Sequence, residues 1–456
     1  MSNPNIANFA KPKYIIRALA AGAVASLLVG CATTNNGDSI AAPPVAPAEV
    51  VSDECSVEVP CELSFRWWGG DDRQQRTLAV IALFEEQNPD IRITPMPVSF
   101  AGYYDQLAIE FAASNTPDVF QLDAARPREF GRQGLLLPLD GLIDTTNLPA
   151  AQLDEASFDG VLFAAPHTGN AGSVLLNVDL FEEAGVPLPD DQTWTWDDFL
   201  QVAQDLRAGL PAGSYPIEII PVNMVRPFLA QRWDGGLFTP DGDVGVSPEV
   251  MAEFFEFSSD LVADGLTPAA TETVQLFVVG PGESLMGTNR SAMMFAPSST
   301  IAQMTAASGA NLALARFPGE SSEPYIGTAV DVGIYYGAAA NTPYPEAAGR
   351  FISFMVNDPE AGLHFGVDRG VPLNPYVVAA LEPTADDVML AQFDYMEEVI
   401  AAGSRANPRA PGGELNNFIN RAFEGLIFGQ LTPEQAAAQF TQETQEGIDQ
   451  ARHGVE

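Results

Sequence analysis

The folded region begins with Leu63-Ser64-Phe65-Arg66-Trp67-Trp68, and Gly69-Gly70-Asp71-Asp72 follows directly. The apolar and aromatic residues of 63–68 predict a buried strand, and the paired glycines predict a turn into a helix over residues 74–87. Asn88-Pro89 ends that helix, and the alternating residues Ile91-Arg92-Ile93-Thr94 predict a second strand. Strands that alternate with helices indicate a parallel or mixed sheet with helices on its faces.

The same alternation continues along the chain. Further strands are predicted at residues 119–122, 173–177, 291–295 and 331–336, and further helices at 104–113, 180–184, 347–356, 391–401, 416–428 and from 433 onward. In open α/β sheets, ligands bind at the carboxyl ends of the strands. That rule marks residues 67–73 and 122–126 as the first places to look for a site.

Composition limits the function of this chain. It has 456 residues, of which 46% are hydrophobic, so it can bury the cores of two or three domains. The formal net charge of −39 repels nucleic acid, and no nucleic-acid partner is expected. We interpret the acidity as a means of solubility or as a response to a saline or acidic habitat. A cationic ligand is the alternative, and it requires acids gathered in one cleft.

Several kinds of chemistry are disfavoured by the residues themselves. No lysine occurs after Lys13, so neither a phosphate-binding loop with its lysine nor a Schiff-base lysine is available. The three histidines, His167, His364 and His453, are far apart, and neither a metal site nor a cofactor is expected. Gly282-Glu283-Ser284-Leu285-Met286 lacks the last glycine of a nucleophile elbow. We therefore expect no enzyme activity.

The N-terminal segment has the pattern of an export signal. Lys11, Lys13 and Arg17 precede an apolar run over residues 18–29, which is too short to span a bilayer. The run ends in Leu28-Val29-Gly30-Cys31, which resembles a bacterial lipobox. We expect a lipoprotein signal peptide over residues 1–30, with lipid on Cys31. An ordinary signal peptide with a chance cysteine is the alternative.

Two more cysteines lie near the start of the fold. Cys55 and Cys61 are expected to form a disulfide in an oxidising compartment, and their spacing is not that of a C-x-x-C redox motif. Residues 31–61 therefore predict a lipidated cysteine followed by a flexible tether rich in Pro, Ala and Asn, which the disulfide fastens to the first strand.

An ordered series of short segments carries a family resemblance. The segments are 63–70, 84–91, 116–119, 134–139, 176–185, 195–199, 291–295, 345–356 and 370–374. Together, behind a lipobox, they resemble the family 1 extracellular solute-binding proteins of ABC importers, a family that includes maltose- and oligosaccharide-binding proteins. The resemblance runs through most of the chain after the tether.

The resemblance implies a two-lobed α/β fold, the type II-like periplasmic-binding-protein or Venus-flytrap fold, with hinge crossings and C-terminal helices. The implied lobes are discontinuous: residues 62–165 plus 326–395 form lobe 1, and residues 166–325 plus 396–456 form lobe 2. The chain is expected to leave lobe 1 near Ala165-Pro166 and to return near Tyr325-Ile326-Gly327. The last helices are expected to pack mainly on lobe 2.

The resemblance also implies a function. The protein is expected to bind a mono- or oligosaccharide between its lobes and deliver it to an ABC permease, as a monomer held to a membrane by its lipid. A receptor for a polyamine or another small polar solute is the alternative, and a secreted glycoside hydrolase is a more distant one. An all-β adhesion protein is disfavoured by the alternating helices.

Six residues are predicted to contact the ligand. They are Trp68, Asp72, Arg73, Asp123, Trp233 and Arg369. The tryptophans would stack on sugar rings, and the charged groups would bind hydroxyls. Five of them have a structural alternative: core packing for the tryptophans, helix capping for Asp72, a solvated loop for Asp123 and an ion pair for Arg369. Asn416 and Asn417 are further candidate amides, with helix capping as their alternative.

Overall fold

The computed structural model describes residues 54–403 and 415–453, apart from residues 101, 125, 220, 234, 235, 240, 241 and 278. The strands are β1 (Cys61–Trp68), β2 (Ile91–Val98), β3 (Val119–Leu122), β4 (Ser157–Phe158), β5 (Val161–Leu162), β6 (Ala165–Asn177), β7 (Tyr215–Glu218), β8 (Ser291–Pro297), β9 (Leu312–Ala315), β10 (Val330–Ala338) and β11 (Val371–Pro372). The helices are α1 (Asp71–Gln87), α2 (Tyr103–Ala112), α3 (Arg126–Arg132), α4 (Ala150–Glu155), α5 (Val178–Ala184), α6 (Trp196–Gly209), α7 (Pro221–Arg232), α8 (Pro248–Ala263), α9 (Ala270–Leu276), α10 (Thr300–Ser308), α11 (Pro345–Asn357), α12 (Pro359–Phe365), α13 (Pro375–Leu381), α14 (Asp387–Ala401), α15 (Leu415–Ile427) and α16 (Pro433–His453).

The first three elements form the unit that the sequence predicts. Strands β1 and β2 pair in parallel from Cys61 opposite Ile91 to Trp68 opposite Val98, and α1 connects them. Gly69 has a φ of +157°, and a Cβ at this position would lie 2.3 Å from Cδ of Arg73, so the turn requires glycine. Helix α1 begins earlier than predicted, with Asp71 in its first turn, where a carboxylate is stabilised by the helix dipole.

The first sheet is mixed. Its strand order is β2-β1-β3-β10-β6, and β11 pairs with the other edge of β6. Strands β1, β2 and β3 are mutually parallel, whereas β10 runs antiparallel to both β3 and β6. The carboxyl ends of β1 and β3 therefore lie at the same end of the sheet, the end from which β10 begins.

Strand β6 crosses from the first sheet to the second. Up to Ala171 it pairs with β10 and β11, and from Gly172 onward it pairs with β8 and β9. The sequence predicted only its second half as a strand, because Pro166 and the glycines that follow are typical of turns. Pro166 is accommodated beside an irregularity in the pairing with β10, where a missing N–H is tolerated. The change of partners therefore comes later than the predicted crossing near Ala165-Pro166.

Two main hydrophobic cores lie on either side of this crossing. The first takes its buried residues from 61–171 and 330–399, and the second takes them from 174–317 and 419–448. We call the surrounding parts of the molecule the first lobe and the second lobe. The predicted two-lobed α/β class is confirmed, whereas the predicted residue limits of each lobe stay a prediction. Helix α14 packs into the first core, and α15 and α16 pack into the second.

The start of the described region is joined covalently to β1. Cys55 and Cys61 form a disulfide with a Cα–Cα distance of 5.2 Å. The predicted signal peptide and Cys31 lie outside the described residues. Within them, no helix combines the length and the apolar character that a membrane crossing requires.

Candidate functional site

A cavity of about 620 Å³ lies where β6 changes sheets, and we call it the cleft. Its walls come from both lobes and from the two crossing segments around residues 170–172 and 327–333. Its volume is within the roughly 300–1,000 Å³ that small-molecule sites occupy. The cleft is therefore the candidate ligand site.

The first lobe contributes Asp123, just after β3, and Arg126, at the start of α3. Tyr104 of α2 connects them: its hydroxyl accepts a 2.8 Å hydrogen bond from the backbone N–H of Asp123, and its ring lies 4.5 Å from the Arg126 guanidinium carbon. Burial lowers the pKa of Arg126, but the charges of Glu129 and Asp123 outweigh it and raise the pKa overall. Arg126 therefore stays charged at any physiological pH.

The crossing segments contribute Asn170 of β6 and Asp331 of β10, which are opposite each other in the antiparallel pairing. The register shifts beyond this pair, between Val332 and Ile334, where Gly333 also lines the cleft. The side-chain oxygen of Asn170 is buried without a hydrogen-bond partner from the protein. It is therefore available to a donor in the cleft.

The second lobe contributes three polar side chains from the N-terminal turns of two helices. Asn223 and Arg226 lie on the first two turns of α7, and Asn416 lies on the first turn of α15. Asn223 also donates a 2.9 Å hydrogen bond to the backbone oxygen of Phe295 in β8, which fixes its orientation. Asn416, a candidate amide from the sequence, thus lines the cleft.

A partly buried carboxylate orders the segment that returns to the first lobe. Glu320 accepts hydrogen bonds from the backbone N–H groups of Gly327 (3.0 Å) and Thr328 (2.9 Å) and from the side chain of Gln231 (2.9 Å). Gln231 in turn accepts a 2.7 Å bond from the Trp196 indole. Burial raises the pKa of Glu320, while these donors favour its charged form. Because Gly327 lines the cleft, this network holds one of its walls.

Asp123 is the only one of the six predicted contact residues that lines the cleft, as far as the described residues define it. Trp68 is only 9% exposed, and its ring centroid lies 4.8 Å from that of Tyr103 and 6.1 Å from that of Tyr104. A ring enclosed in this way has no open face for a sugar.

Three other predicted residues have protein partners of their own. Asp72 pairs with Arg76 at 2.7 Å on the exposed surface of α1, and Arg73 pairs with Asp368 at 2.7 Å. Arg369 is buried, where it donates to the hydroxyl of Thr77 (2.7 Å) and to the side-chain oxygen of Gln121 (3.4 Å). Asp72, Arg73 and Arg369 thus have ion-pair or hydrogen-bond partners within the first lobe, and we leave them out of the proposed site.

Trp233 follows the last residue of α7 and is 38% exposed. Arg226, the residue of α7 that lines the cleft, is seven residues earlier in the chain, so the helical rise of 1.5 Å per residue puts Trp233 about 10 Å further along. His167 of β6 is buried against Tyr336 and Phe365, and it too is absent from the cleft lining described.

One strand end and Asn416 were found from the sequence, and the other polar residues of the cleft were missed. The strand-end rule marked residues 122–126, which contain Asp123, Ala124 and Arg126. Asn170, Asp331, Asn223 and Arg226 were not marked by the sequence analysis, because these residues come together only through the crossing strand and the approach of the second lobe. The amide and charged residues at the start of α7 were the one available signal.

Curated relatives match part of the chain, among them the following two. The chain is 24% identical over 139 residues to an uncharacterized lipoprotein of Streptomyces antibioticus, and the match covers 30% of this chain and 31% of the relative. The chain is 30% identical over 129 residues to a mannitol-binding protein of Pseudomonas aeruginosa, and the match covers 27% of this chain and 28% of the relative. The chain thus spans about a third of the length of these relatives.

Solved structures match over a greater length. A family 1 extracellular solute-binding protein of Alicyclobacillus acidocaldarius has a TM-score of 0.75 at 22% identity, and the match covers 86% of this chain and 99% of that one. An oligogalacturonide-binding protein of Yersinia enterocolitica has a TM-score of 0.73 at 20% identity, with the same coverage. At this identity the structures establish a shared fold.

The sequence model that describes bacterial extracellular solute-binding proteins matches residues 70–362, which is more than half of the chain. The matched region begins in the turn after β1 and ends within α12, and it includes every described cleft-lining residue except Leu415 and Asn416. This protein belongs to the family of bacterial extracellular solute-binding proteins.

Proposed function

We propose that the protein captures a carbohydrate in the cleft, closes its lobes around it and delivers it to the permease of an ABC importer. The observation that carries the proposal is the position of the cleft at the crossing of β6, with hydrogen-bonding groups on both lobes. A solute that contacts both lobes at once stabilises the closed form, because those contacts exist only there. ATP hydrolysis belongs to a separate subunit of the importer.

The charges in the cleft favour a carbohydrate over a polyamine. The whole chain carries 60 acidic and 21 basic residues, whereas the described lining contains two aspartates, Asp123 and Asp331, and two arginines, Arg126 and Arg226. A polycation requires a surplus of carboxylates around it. The acidity of the chain is therefore not concentrated in the cleft.

The relatives support a polyhydroxylated ligand. One has a name that specifies mannitol, and one solved structure has a title that specifies oligogalacturonide. Both compounds carry several hydroxyl groups, which amides, carboxylates and guanidinium groups bind well. The polar lining of this cleft supplies all three kinds of group.

We further propose that lipid on Cys31 anchors the protein outside the cytoplasm, on the surface of a membrane. The lipobox-like residues 28–31 and the relative named as a lipoprotein support this proposal. An anchor raises the effective concentration of a monomeric receptor at its permease. A Cys31→Ser variant should bind solute normally but support uptake poorly, and normal uptake by the released protein would contradict the role of the anchor.

Thermal unfolding with a panel of solutes tests the carbohydrate proposal. A ligand at 100 times its Kd adds about 2.7 kcal/mol to the free energy of unfolding. We expect this shift with sugars or sugar alcohols and none with spermidine or putrescine. A shift with polyamines alone would overturn the proposal. Recovery of the ligand unchanged after long incubation separates a receptor from a glycoside hydrolase, which would release a cleaved product.

A further inference from the structure

The cleft has almost no aromatic surface. Every Trp, Tyr and Phe after residue 53 is among the described residues, and one of them, Phe317, lines the cleft. Phe317 is 2% exposed: its ring stacks on that of Phe295 at 5.8 Å and 11°, and its edge meets Gly172, where a Cβ would lie 2.8 Å from it. No open ring face is therefore available to a ligand in this conformation.

Polar groups surround the cleft from several directions. Three asparagines, two aspartates and two arginines reach it from the end of β3, from α3, β6, β10, α7 and α15. Two of them have a buried polar atom without a protein partner: the side-chain oxygen of Asn170, an acceptor, and Nε of Arg126, a donor. A hydroxyl group satisfies both kinds of atom, since it donates and accepts.

These features distinguish between kinds of carbohydrate. A pyranose ring has flat C–H faces, and these gain most from an aromatic platform. An acyclic sugar alcohol has a hydroxyl on every carbon and no such face, so it gains most from hydrogen-bonding groups on all sides. The formal charges of the described lining cancel, which suits a neutral ligand.

We propose that the cleft takes a neutral acyclic polyol of about six carbons in preference to a pyranose or an oligosaccharide. This inference rests on the proposed function, because it specifies the carbohydrate that the receptor binds. The seven polar side chains take the hydroxyl groups, and the small Ala, Gly and Pro residues of the lining contact the carbon chain.

Isothermal titration of the full-length protein with matched solutes tests the proposal. The panel contains three hexitols, the aldohexoses from which they derive by reduction, maltose and galacturonate. At least one hexitol should bind about tenfold or more tightly than every other solute, because a misfitting ring leaves a buried polar group unpaired. Tighter binding of a hexose, maltose or galacturonate overturns the inference and leaves the carbohydrate receptor standing. If no carbohydrate binds, both this inference and the proposed function are contradicted.

Adjacent asparagines provide a matched pair of variants. Asn416 lines the cleft, whereas Asn417 is exposed and is not part of the lining, and both lie on the first turn of α15. Asn416→Ala should weaken hexitol binding about fivefold or more, and Asn417→Ala should leave it within about twofold. Equal effects of the two variants would contradict the inference.

A second pair tests the first lobe. Arg126→Met should weaken hexitol binding about tenfold or more, because it removes the donor Nε. Arg128→Met removes the same charge from the same helix, but Arg128 bonds to the backbone oxygens of Asp154 and Glu155, away from the cleft. Hexitol binding that survives in Arg126→Met would contradict the inference.

Discussion

Tyr395 donates a 2.6 Å hydrogen bond to the backbone oxygen of Gly172, the first residue of β6 that pairs with the second sheet. The same hydroxyl lies 3.3 Å from the backbone oxygen of Ala315 in β9. Tyr395 belongs to α14, which packs in the first core, whereas Ala315 belongs to the second. One side chain thus links the first lobe to the crossing strand and to the second lobe.

Removing this link should loosen the crossing. Tyr395→Phe should lower the free energy of unfolding by about 1 kcal/mol and speed hydrogen exchange around Gly172 and Ala315. Tyr336→Phe is the matched control, because the buried Tyr336 hydroxyl has no hydrogen-bond partner from the protein. Urea unfolding of both variants measures the difference. A stability loss in Tyr336→Phe as large as that in Tyr395→Phe would contradict the link.

Asp123 and Trp233 were both predicted to contact the ligand, but only Asp123 lines the cleft. Asp123→Ala should abolish most of the ligand-induced thermal shift, because it removes a charged hydrogen-bonding group from the cleft. Trp233→Ala should retain the shift, since Trp233 lies beyond the cleft-lining turns of α7. Asp154→Ala, an exposed change on the first lobe, serves as the control for charge. A shift lost only in Trp233→Ala would mean that the ligand binds elsewhere.

His167 should make the protein sensitive to acid. Burial, with the charge of Arg369 nearby, lowers the pKa of His167 to about 3, whereas an unfolded histidine titrates near 6.5. The folded state therefore binds fewer protons than the unfolded state between these values, and stability falls as the pH falls through this window. The slope is about 1.4 kcal/mol per pH unit.

A His167→Phe variant isolates this contribution, because neither ring nitrogen of His167 has a hydrogen-bond partner from the protein. Subtracting its free energy of unfolding from that of the parent protein, between pH 3.5 and 6.5, cancels the carboxylates that also titrate there. The difference should rise with pH at the stated slope. A flat difference would mean that His167 titrates normally in the folded protein.

The disulfide between Cys55 and Cys61 should affect stability without affecting binding. It closes a loop of sequence separation 6 at the start of β1, while the cleft lies beyond the carboxyl end of the neighbouring strand β3. The Cys55→Ser, Cys61→Ser double variant should lose about 2 kcal/mol of stability by chain entropy. Its ligand affinity should match that of the parent protein. A marked loss of affinity would show that the segment reaches the site.

Local signals were enough for the first three elements of the first lobe. The apolar and aromatic residues of 63–68 predicted β1, and the alternating residues 91–94 predicted β2. Gly69-Gly70 and Asn88-Pro89 marked the ends of α1 between them. Each of these signals acts within a few residues. The first half of β6 was not predicted, because Pro166 and Gly169 have a low intrinsic preference for strands. Its pairing with β10 on one side and β11 on the other outweighs that local preference.

The site was less predictable because it depends on long-range contacts. Asp123 and Arg126 follow a strand end, where a general rule applies. Asn170 and Asp331 are far apart in the chain and meet only through the antiparallel pairing of β6 and β10. The charge of Arg369 suggested a ligand clamp, but Gln121 and Thr77 occupy its donors.

Ligand-induced closure tests the central claim most directly. Spin labels at Asp154→Cys of the first lobe and Glu256→Cys of the second, with Cys31 replaced by Ser and the native disulfide intact, allow the distance between the lobes to be measured. Saturation with the carbohydrate that stabilises the protein most should shift the distance distribution to a single shorter population. An unchanged distribution, under conditions where calorimetry records binding, would contradict capture between the lobes.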